Sequence, residues 1–184
     1  TDKSLVARIE NKGGNAIGLS GIDGRMIEAR VKDARLGFVG EITKVNVAPI
    51  LDVIDKGYIP VVSTVGCDRE GNVYNINADT AAAEIAIALH AEKLVSMTDI
   101  VGLLYDKNDE STLIPEVEVS EIEGYKAAGV IAGGMLPKIE GMADAIYQGV
   151  HEAVIIDGRV PHSILLEMFS DRGAGTMFYR RGNR

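Results

Sequence analysis

The chain has 184 residues, of which 46% are hydrophobic and 25% are charged. This length and apolar content are sufficient for a substantial hydrophobic core, in one domain or in two small lobes. The formal net charge of -8 argues against a general nucleic-acid-binding protein, because phosphate backbones are usually met by clusters of Lys and Arg.

Cys67 is the only cysteine of the chain. An intrachain disulfide and a thiolate cluster for zinc are therefore excluded, which suits a reducing compartment. No apolar run approaches the length of a membrane span, and the first four residues carry neither a basic leader nor a signal-like apolar core. We therefore expect a cytoplasmic protein with no membrane or nucleic-acid partner.

Short apolar runs alternate with longer helical patterns along the chain, which is typical of a mainly parallel sheet covered by helices. The fold class predicted from this alternation is α/β. Between the first two strands, two further runs indicate an antiparallel pair joined by a polar turn, residues 25–31 and 37–42. The predicted parallel strands are Ala16 to Leu19, Tyr58 to Val65, Lys93 to Met97 and Ala153 to Asp157.

Four segments have the spacing of helices. Asn46 is the predicted N-cap of the first, which Gly57 would end. The second is Ala-rich and is expected from about Thr80 to Ala91. Ser120 and Glu123 have the spacing of a capping box at the start of the third. The fourth follows from an apolar stripe that consists of Met135, Ile139, Met142, Ala143 and Ile146.

Two amides and a carboxylate, Asn75, Asn77 and Asp79, occupy alternate positions immediately before the second helix. Alternation sends the side chains of an extended stretch to one side. Any one of these residues alone is more often a turn or cap residue. Three together, between a strand end and a helix N-terminus, predict a ligand site.

A glycine pair, Gly133 and Gly134, precedes the fourth helix, and Lys138 follows in its first turn. Free backbone amides and an ammonium group beside a helix start suit a polyphosphate. Taken alone, a glycine pair before a helix is more often an ordinary turn, and an exposed lysine is more often only solvated.

The segment from Thr98 and Asp99 to Leu103 directly follows an apolar strand. In a parallel sheet this position lies at the carboxyl edge, where nucleotide-binding crevices form. The alternative interpretation is an ordinary exit from a strand into a loop.

Together these motifs resemble the N-acetylglutamate kinases of the amino-acid-kinase family, in the same order and with the same spacing. The resemblance covers nearly the whole chain, and the combination of NINAD with a downstream GGMLPK is more specific than either motif alone. The matching segments are residues 18–21 (GLSG), 37–41 (GFVGE), 75–79 (NINAD), 98–99 (TD), 133–138 (GGMLPK) and 173–176 (GAGT).

The resemblance implies a three-layer sandwich with a mainly parallel central sheet, the amino-acid-kinase fold. It also implies ATP-dependent phosphorylation of the side-chain carboxylate of N-acetylglutamate, a reaction of arginine biosynthesis. No cluster of metal ligands is evident, so magnesium is expected to arrive with ATP and to be held mainly by phosphate oxygens and water.

The resemblance also implies roles for individual residues. Lys138 would contact the nucleotide phosphates and stabilise the phosphoryl group during transfer, and Asp79 would orient catalytic lysines. Asn75 and Asn77 would bind the acyl amino acid. The implied nucleotide-binding residues are Thr98, Asp99, Gly102 and Leu103 around the adenosine, with Gly133, Gly134 and Met135 before the fourth helix.

The family pattern begins with a strand, a glycine-rich loop with another catalytic lysine, a second glycine motif and a substrate-binding arginine, and these are not in this chain. The chain is therefore expected to be an incomplete fragment that binds nucleotide weakly and catalyses poorly or not at all. Residues 1–92 would be the remainder of the acyl-amino-acid-binding lobe, and residues 93–184 the nucleotide-binding lobe. The family also implies a homo-oligomer.

Two alternatives stay open at this point. One is another amino-acid-kinase relative that acts on a carbamate, an aspartate or a nucleoside monophosphate. The other is a nucleotide- or arginine-sensing module that keeps the fold without turnover.

Overall fold

The computed structural model describes residues 2–170 and 173–182. The chain forms two compact units, residues 1–89 and residues 90–184. Each unit combines helices with strands and has its own hydrophobic core. The predicted α/β class with mainly parallel sheets is confirmed. None of the helices in the described ranges has the length and apolar character needed to cross a membrane.

The first unit contains one two-stranded and one four-stranded sheet among its described residues. The elements are α1 (Asp2–Glu10), β1 (Ala16–Ser20), β2 (Ile27–Val31), β3 (Gly40–Val45), α2 (Ala48–Asp55), β4 (Ile59–Ser63), β5 (Val65–Cys67), β6 (Val73–Asn75) and α3 (Ala78–Leu89). The two-stranded sheet pairs β1 with β4 in parallel. The four-stranded sheet has the order β3-β2-β5-β6, in which β2 and β5 are parallel and the outer pairs are antiparallel.

The predicted antiparallel pair is confirmed as β2 and β3, although both strands start later than the pattern indicated. A short 3₁₀ turn at Ala34–Leu36 separates them, and the Asp33 carboxylate accepts a hydrogen bond from the Arg35 amide at 2.9 Å. Gly37 then adopts a φ of +66°, a conformation that ends the turn and delays the second strand.

The GLSG segment is held by close backbone packing in the first unit. A Cβ atom on Gly21 would lie 1.9 Å from the carbonyl oxygen of Val65 and 2.8 Å from Ile27. Only glycine fits there without displacement of the backbone. The motif therefore has a packing reason, independent of any ligand.

The N-cap of α2 is Val47, one residue after the predicted Asn46, and the Asn46 side chain bonds to the start of the helix. The side-chain oxygen of Asn46 accepts a hydrogen bond from the Ala48 amide at 3.2 Å, and its amide nitrogen donates to the Gly24 carbonyl at 2.9 Å. Gly57 lies just beyond the helix with a φ of +79°, as expected for a residue that ends a helix.

The elements of the second unit are β7 (Lys93–Thr98), β8 (Glu116–Glu118), α4 (Ile122–Ala127), α5 (Met135–Tyr147), β9 (Glu152–Asp157), α6 (Ser163–Phe169) and β10 (Gly175–Tyr179). Its described strands form one four-stranded sheet with the order β7-β9-β10-β8. β7 pairs with β9 and β10 pairs with β8 in parallel, whereas β9 and β10 are antiparallel.

The core of the second unit is centred on β9, whose residues 153–156 are all 0% exposed. Burial of consecutive residues means that both faces of the strand are covered, as expected for an interior strand of an α/β sheet. The predicted apolar stripe of α5 is confirmed, because Ile139, Met142, Ala143 and Ile146 are buried and belong to this core. Met135 packs against the same core but is only partly buried.

The predicted capping box at Ser120 and Glu123 is wrong. The Glu118 amide donates to the Glu121 carboxylate at 3.1 Å, and a 3₁₀ turn precedes α4. Glu123 instead forms an ion pair with Lys126 at 2.8 Å. The apolar residues around this earlier turn, Val119 and Ile122, are buried.

Candidate functional site

A cleft of about 870 Å³ lies in the second unit, beyond the carboxyl ends of β7 and β9. Residues 99–107 after β7 form one wall, Gly129, Val130 and residues before α5 contribute to another, and Arg159 after β9 also lines the space. The volume is within the usual range for small-molecule sites, and the position is the one where ligands bind to open α/β sheets.

Most of the predicted nucleotide-binding residues meet in this cleft. Asp99, Gly102 and Leu103 line it from the side of β7, and Gly133 and Met135 line it from the side of α5. The fold therefore brings together two segments that are far apart in the sequence.

Two of the predicted nucleotide-binding residues do not line the cleft. Thr98 is the last residue of β7, where its hydroxyl donates to the Asp99 carboxylate at 3.3 Å. Gly134 is the exposed residue that precedes α5. A role for either residue in nucleotide binding stays a prediction.

The floor of the cleft is fixed by Thr176 of β10. Its hydroxyl accepts a hydrogen bond from the Leu103 amide at 2.8 Å and donates to the Ile114 carbonyl at 2.7 Å. Gly102 has a φ of +141°, and a Cβ atom on it would lie 2.6 Å from the Thr176 hydroxyl. The backbone at 102–103 is therefore held in a conformation that requires glycine.

Lys138 lies in the first turn of α5 and is partly buried. Its ammonium group donates to the Ser96 hydroxyl at 3.2 Å, which holds it against the strand that leads to Asp99. Pro137 is tolerated in the same turn because the first amides of a helix need no partner within the helix. Lys138 is outside the lining of the cleft, although it belongs to the same unit.

The acceptor-site candidates belong to the first unit. Asn75 and Asn77 are exposed, whereas Tyr74 and Ile76 are buried, so the alternation expected of an extended stretch is confirmed up to Asn77.

The chain then turns into α3 earlier than the predicted Thr80. The side-chain oxygen of Asn77 accepts a hydrogen bond from the Thr80 amide at 3.1 Å, so Asn77 caps the helix. Asp79 consequently lies in the first turn of α3, where a carboxylate is favoured by the helix dipole. The expectation that Asp79 leaves the same extended stretch as Asn75 was wrong, because the cap starts the helix before it.

Comparison with known proteins decides the family. The sequence model of the amino acid kinase family matches residues 2–157. This chain belongs to the amino acid kinase family.

A protein named acetylglutamate kinase from Brachyspira hyodysenteriae is 51% identical to it over 97% of this chain and 63% of that protein. Another protein of that name, from Actinobacillus pleuropneumoniae serotype 5b, is 56% identical over 98% of this chain and 63% of its own length. The chain thus spans about 63% of the length of these relatives.

A solved structure of N-acetylglutamate synthase from Neisseria gonorrhoeae, complexed with coenzyme A and L-arginine, superposes with a TM-score of 0.74 and 26% sequence identity. The match covers 91% of this chain and 38% of that chain. Together with the family match, this likeness confirms the predicted amino-acid-kinase fold.

Sequence reasoning missed Asp68, which organises the turn between β5 and β6. Its carboxylate accepts hydrogen bonds from the Tyr74 hydroxyl at 2.6 Å, the Asn72 side chain at 2.7 Å and the Asn72 amide at 2.8 Å. These donors, with Tyr74 first, lower the pKa of Asp68 to about 2. Because Tyr74 directly precedes Asn75, the network fixes the strand that carries a candidate acceptor residue. The turn sequence DREGN gives no sign that a buried tyrosine further along contacts it.

Sequence reasoning also missed the pair Asp157 and Arg159. The Asp157 carboxylate accepts hydrogen bonds from Nε of Arg159 at 3.0 Å and from Nη2 at 2.8 Å. The guanidinium group holds the pKa of Asp157 below its ordinary value. The sequence shows an aspartate and an arginine at the end of a predicted strand, but it does not show that the arginine reaches the cleft.

No group of three or more His, Cys, Asp or Glu side chains within residues 2–170 and 173–182 is arranged to hold a metal ion.

Proposed function

We propose that this chain is the nucleotide-binding portion of an acetylglutamate kinase, which transfers a phosphoryl group from ATP to the side-chain carboxylate of N-acetylglutamate in arginine biosynthesis. The observation that carries the proposal is the 51% and 56% identity with proteins named acetylglutamate kinase, over 97% and 98% of the chain. The cleft of the second unit supports it, because segments proposed to bind the nucleotide line one space of suitable volume.

Phosphoryl transfer mainly requires that donor and acceptor are positioned and that the charge on the moving group is neutralised. In the proposed mechanism the Lys138 ammonium group supplies positive charge to the transferring phosphate, beside the free amides before α5. Asn75 and Asn77 bind the acyl amino acid, and Asp79 orients the catalytic ammonium groups. Magnesium bound to the phosphate oxygens would add further positive charge.

The remaining elements of the proposal concern the complete protein. Because the chain spans about 63% of the length of its relatives, we assign full activity to the complete protein and expect weak nucleotide binding from the 184 residues alone. We further propose that residues 1–92 are the remainder of the acyl-amino-acid lobe and residues 93–184 the nucleotide lobe. The complete protein would be a cytoplasmic homo-oligomer.

The decisive experiment measures phosphoryl transfer from ATP to N-acetylglutamate by the complete protein and by its Lys138→Met variant. We expect activity in the unchanged protein and a loss of about 10² to 10³ in kcat in the variant, since a donor aimed at developing charge is removed. Lys126→Met, which removes an ammonium group paired with Glu123 and Glu140, is the matched control and should retain kcat. Transfer to a carbamate, aspartate or nucleoside monophosphate in place of N-acetylglutamate would refute the assigned substrate.

A second candidate is a nucleotide- or arginine-sensing module without turnover. It is favoured by the likeness to the N-acetylglutamate synthase solved with L-arginine, at 26% identity. Calorimetric titration of the complete protein with ATP and with L-arginine separates the two functions. Saturable binding of both ligands, with no phosphoryl transfer under any condition that gives ATP binding, would support the sensing module.

A further inference from the structure

We infer that Arg159 binds the phosphate groups of the nucleotide taken up by the cleft of the second unit. This inference rests on the proposed function of that cleft. It adds a residue that follows a second strand, β9, to a site that the sequence predicts only around β7 and α5.

The first support is the position of Arg159 in the sheet. β7 and β9 are parallel and in register, with Thr98 opposite Asp157. The Gly158 amide donates to the Thr98 carbonyl at 2.8 Å, so the pairing continues to the ends of both strands. Asp99 and Arg159 therefore follow the carboxyl ends of these two strands at the same edge of the sheet, and both line the cleft. This edge is where parallel strands present residues to ligands.

The second support is the way the guanidinium group is held. The Asp157 side chain is 7% exposed, whereas that of Arg159 is 64% exposed. Nε and Nη2 face the carboxylate, and no described residue accepts a hydrogen bond from Nη1. Asp157 thus fixes one edge of the group and leaves donors on the opposite edge for a ligand, an arrangement that reduces the entropy lost on binding.

The third support is the charge of the cleft. Its lining includes the carboxylates of Asp99, Asp106 and Glu110, whereas Lys107 and Arg159 supply positive charge. A polyphosphate bound in a cleft that also contains these carboxylates needs a cation to offset repulsion. Guanidinium is suited to this because its planar donors match two phosphate oxygens at once. An arginine that served only to neutralise Asp157 would not need to line the cleft, as Arg159 does.

The test is calorimetric binding of ATP, ADP and adenosine to the complete protein and to Arg159→Met. We expect the affinity for ATP and ADP to fall about tenfold or more in the variant, as for loss of a charge-assisted hydrogen bond, while the affinity for adenosine is unchanged. Arg180→Met is the matched control, because it removes an exposed guanidinium group that lies over the Tyr147 ring at 5.6 Å and outside the cleft. All three affinities should be unchanged in that control.

A second variant guards against local misfolding. Arg159→Met leaves the Asp157 carboxylate without its guanidinium partner and with the backbone amide of residue 159 as donor. The double variant Asp157→Asn/Arg159→Met removes both charges and should show the same selective loss. An unchanged ATP affinity, or an equal loss for adenosine and ATP, would overturn the inference and leave the function of the cleft intact. Failure of the unchanged protein to bind ATP would overturn the function of the cleft and the inference with it.

Discussion

The two units of the molecule differ in how completely their strands are buried. In the second unit, residues 153–156 of β9 and Phe178 of β10 are 0% exposed. In the first unit, Ile59 at the start of β4 is 49% exposed and α1 contains no buried residue. The cleft of the second unit is thus supported by a sheet whose inner strand β9 is buried on both faces, whereas the candidate residues of the first unit lie at element ends with a smaller core. The comparison teaches that a site beside a fully buried strand has firmer support for its geometry than a site at exposed element ends.

The largest effect on stability is expected for a substitution in the core of the second unit. Phe178→Ala should lower the free energy of unfolding by about 3 to 5 kcal/mol, because it opens a cavity around a fully buried ring. Urea denaturation measures this change. Phe169→Ala, at the end of α6 where the side chain is 83% exposed, is the control and should change stability far less. Equal losses of unfolding free energy in the two variants would show that the buried strands of the second unit do not dominate its stability.

A smaller effect is expected at the floor of the cleft. Thr176→Val keeps the shape of the side chain but leaves the buried Leu103 amide and Ile114 carbonyl without their partner. Each unsatisfied buried group costs about 1 to 3 kcal/mol, so the free energy of unfolding and the affinity for nucleotide should both fall. Thr43→Val, which removes an exposed hydroxyl bonded to the Glu28 carbonyl at 3.2 Å, provides the comparison in the first unit. A stable variant with unchanged nucleotide affinity would show that this floor is not needed.

The third prediction concerns pH and the first unit. The pKa of Asp68 falls from the ordinary 3.8 to about 2 in the folded protein. Its ionised form therefore stabilises the fold above pH of about 4, and this contribution is lost as the pH falls through the interval from about 4 to about 2. Asp68→Asn and Tyr74→Phe should both reduce the loss of stability across this interval.

Urea midpoints at pH of about 5 and about 2.5 measure this difference. Tyr58→Phe, which changes an exposed tyrosine, is the control for Tyr74→Phe and should keep the pH dependence of the unchanged protein. If Asp68→Asn loses as much stability on acidification as the unchanged protein, the network does not order the turn before Asn75.

The smallest effect is a gain in stability. A Cβ atom on Gly141, within α5, would meet no heavy atom within 4 Å, so Gly141→Ala should stabilise the protein by about 0.5 to 1 kcal/mol through helix propensity. The thermal midpoint measures the gain. Gly133→Ala is the opposite case, since its φ of +60° strains any side chain, and it should destabilise. A loss of stability in Gly141→Ala would mean that α5 is already constrained by its packing.

Much of the fold could be predicted because its signals are local. The apolar run at 153–157 corresponds to β9, and the stripe on α5 corresponds to its buried face. The capping box was misplaced because Ser120 and Glu123 fit the Ser/Thr-x-x-Glu rule, whereas the structure forms the box at Glu118 and Glu121, whose first residue the rule does not select. Burial of Val119 and Ile122, which depends on tertiary packing, accompanies this earlier position.

The site was predictable only where its residues share a motif. Asp99 and Gly133 were singled out by their own surroundings in the sequence, and the fold then placed both at one cleft. Arg159 could not be selected in this way, because its position beside Asp99 depends on the pairing of β7 with β9, which are separated by more than fifty residues.

The sequence by itself determined the α/β class, the family resemblance and the residue types suited to phosphate. These follow from side-chain periodicity and short motifs, which act over a few neighbouring residues. Tertiary structure alone decided that Thr176 holds the backbone at Leu103, that Asp68 bonds Tyr74, and that Arg159 faces the cleft. Such contacts depend on strand order and register, and the free energy that selects these comes from packing of the whole core.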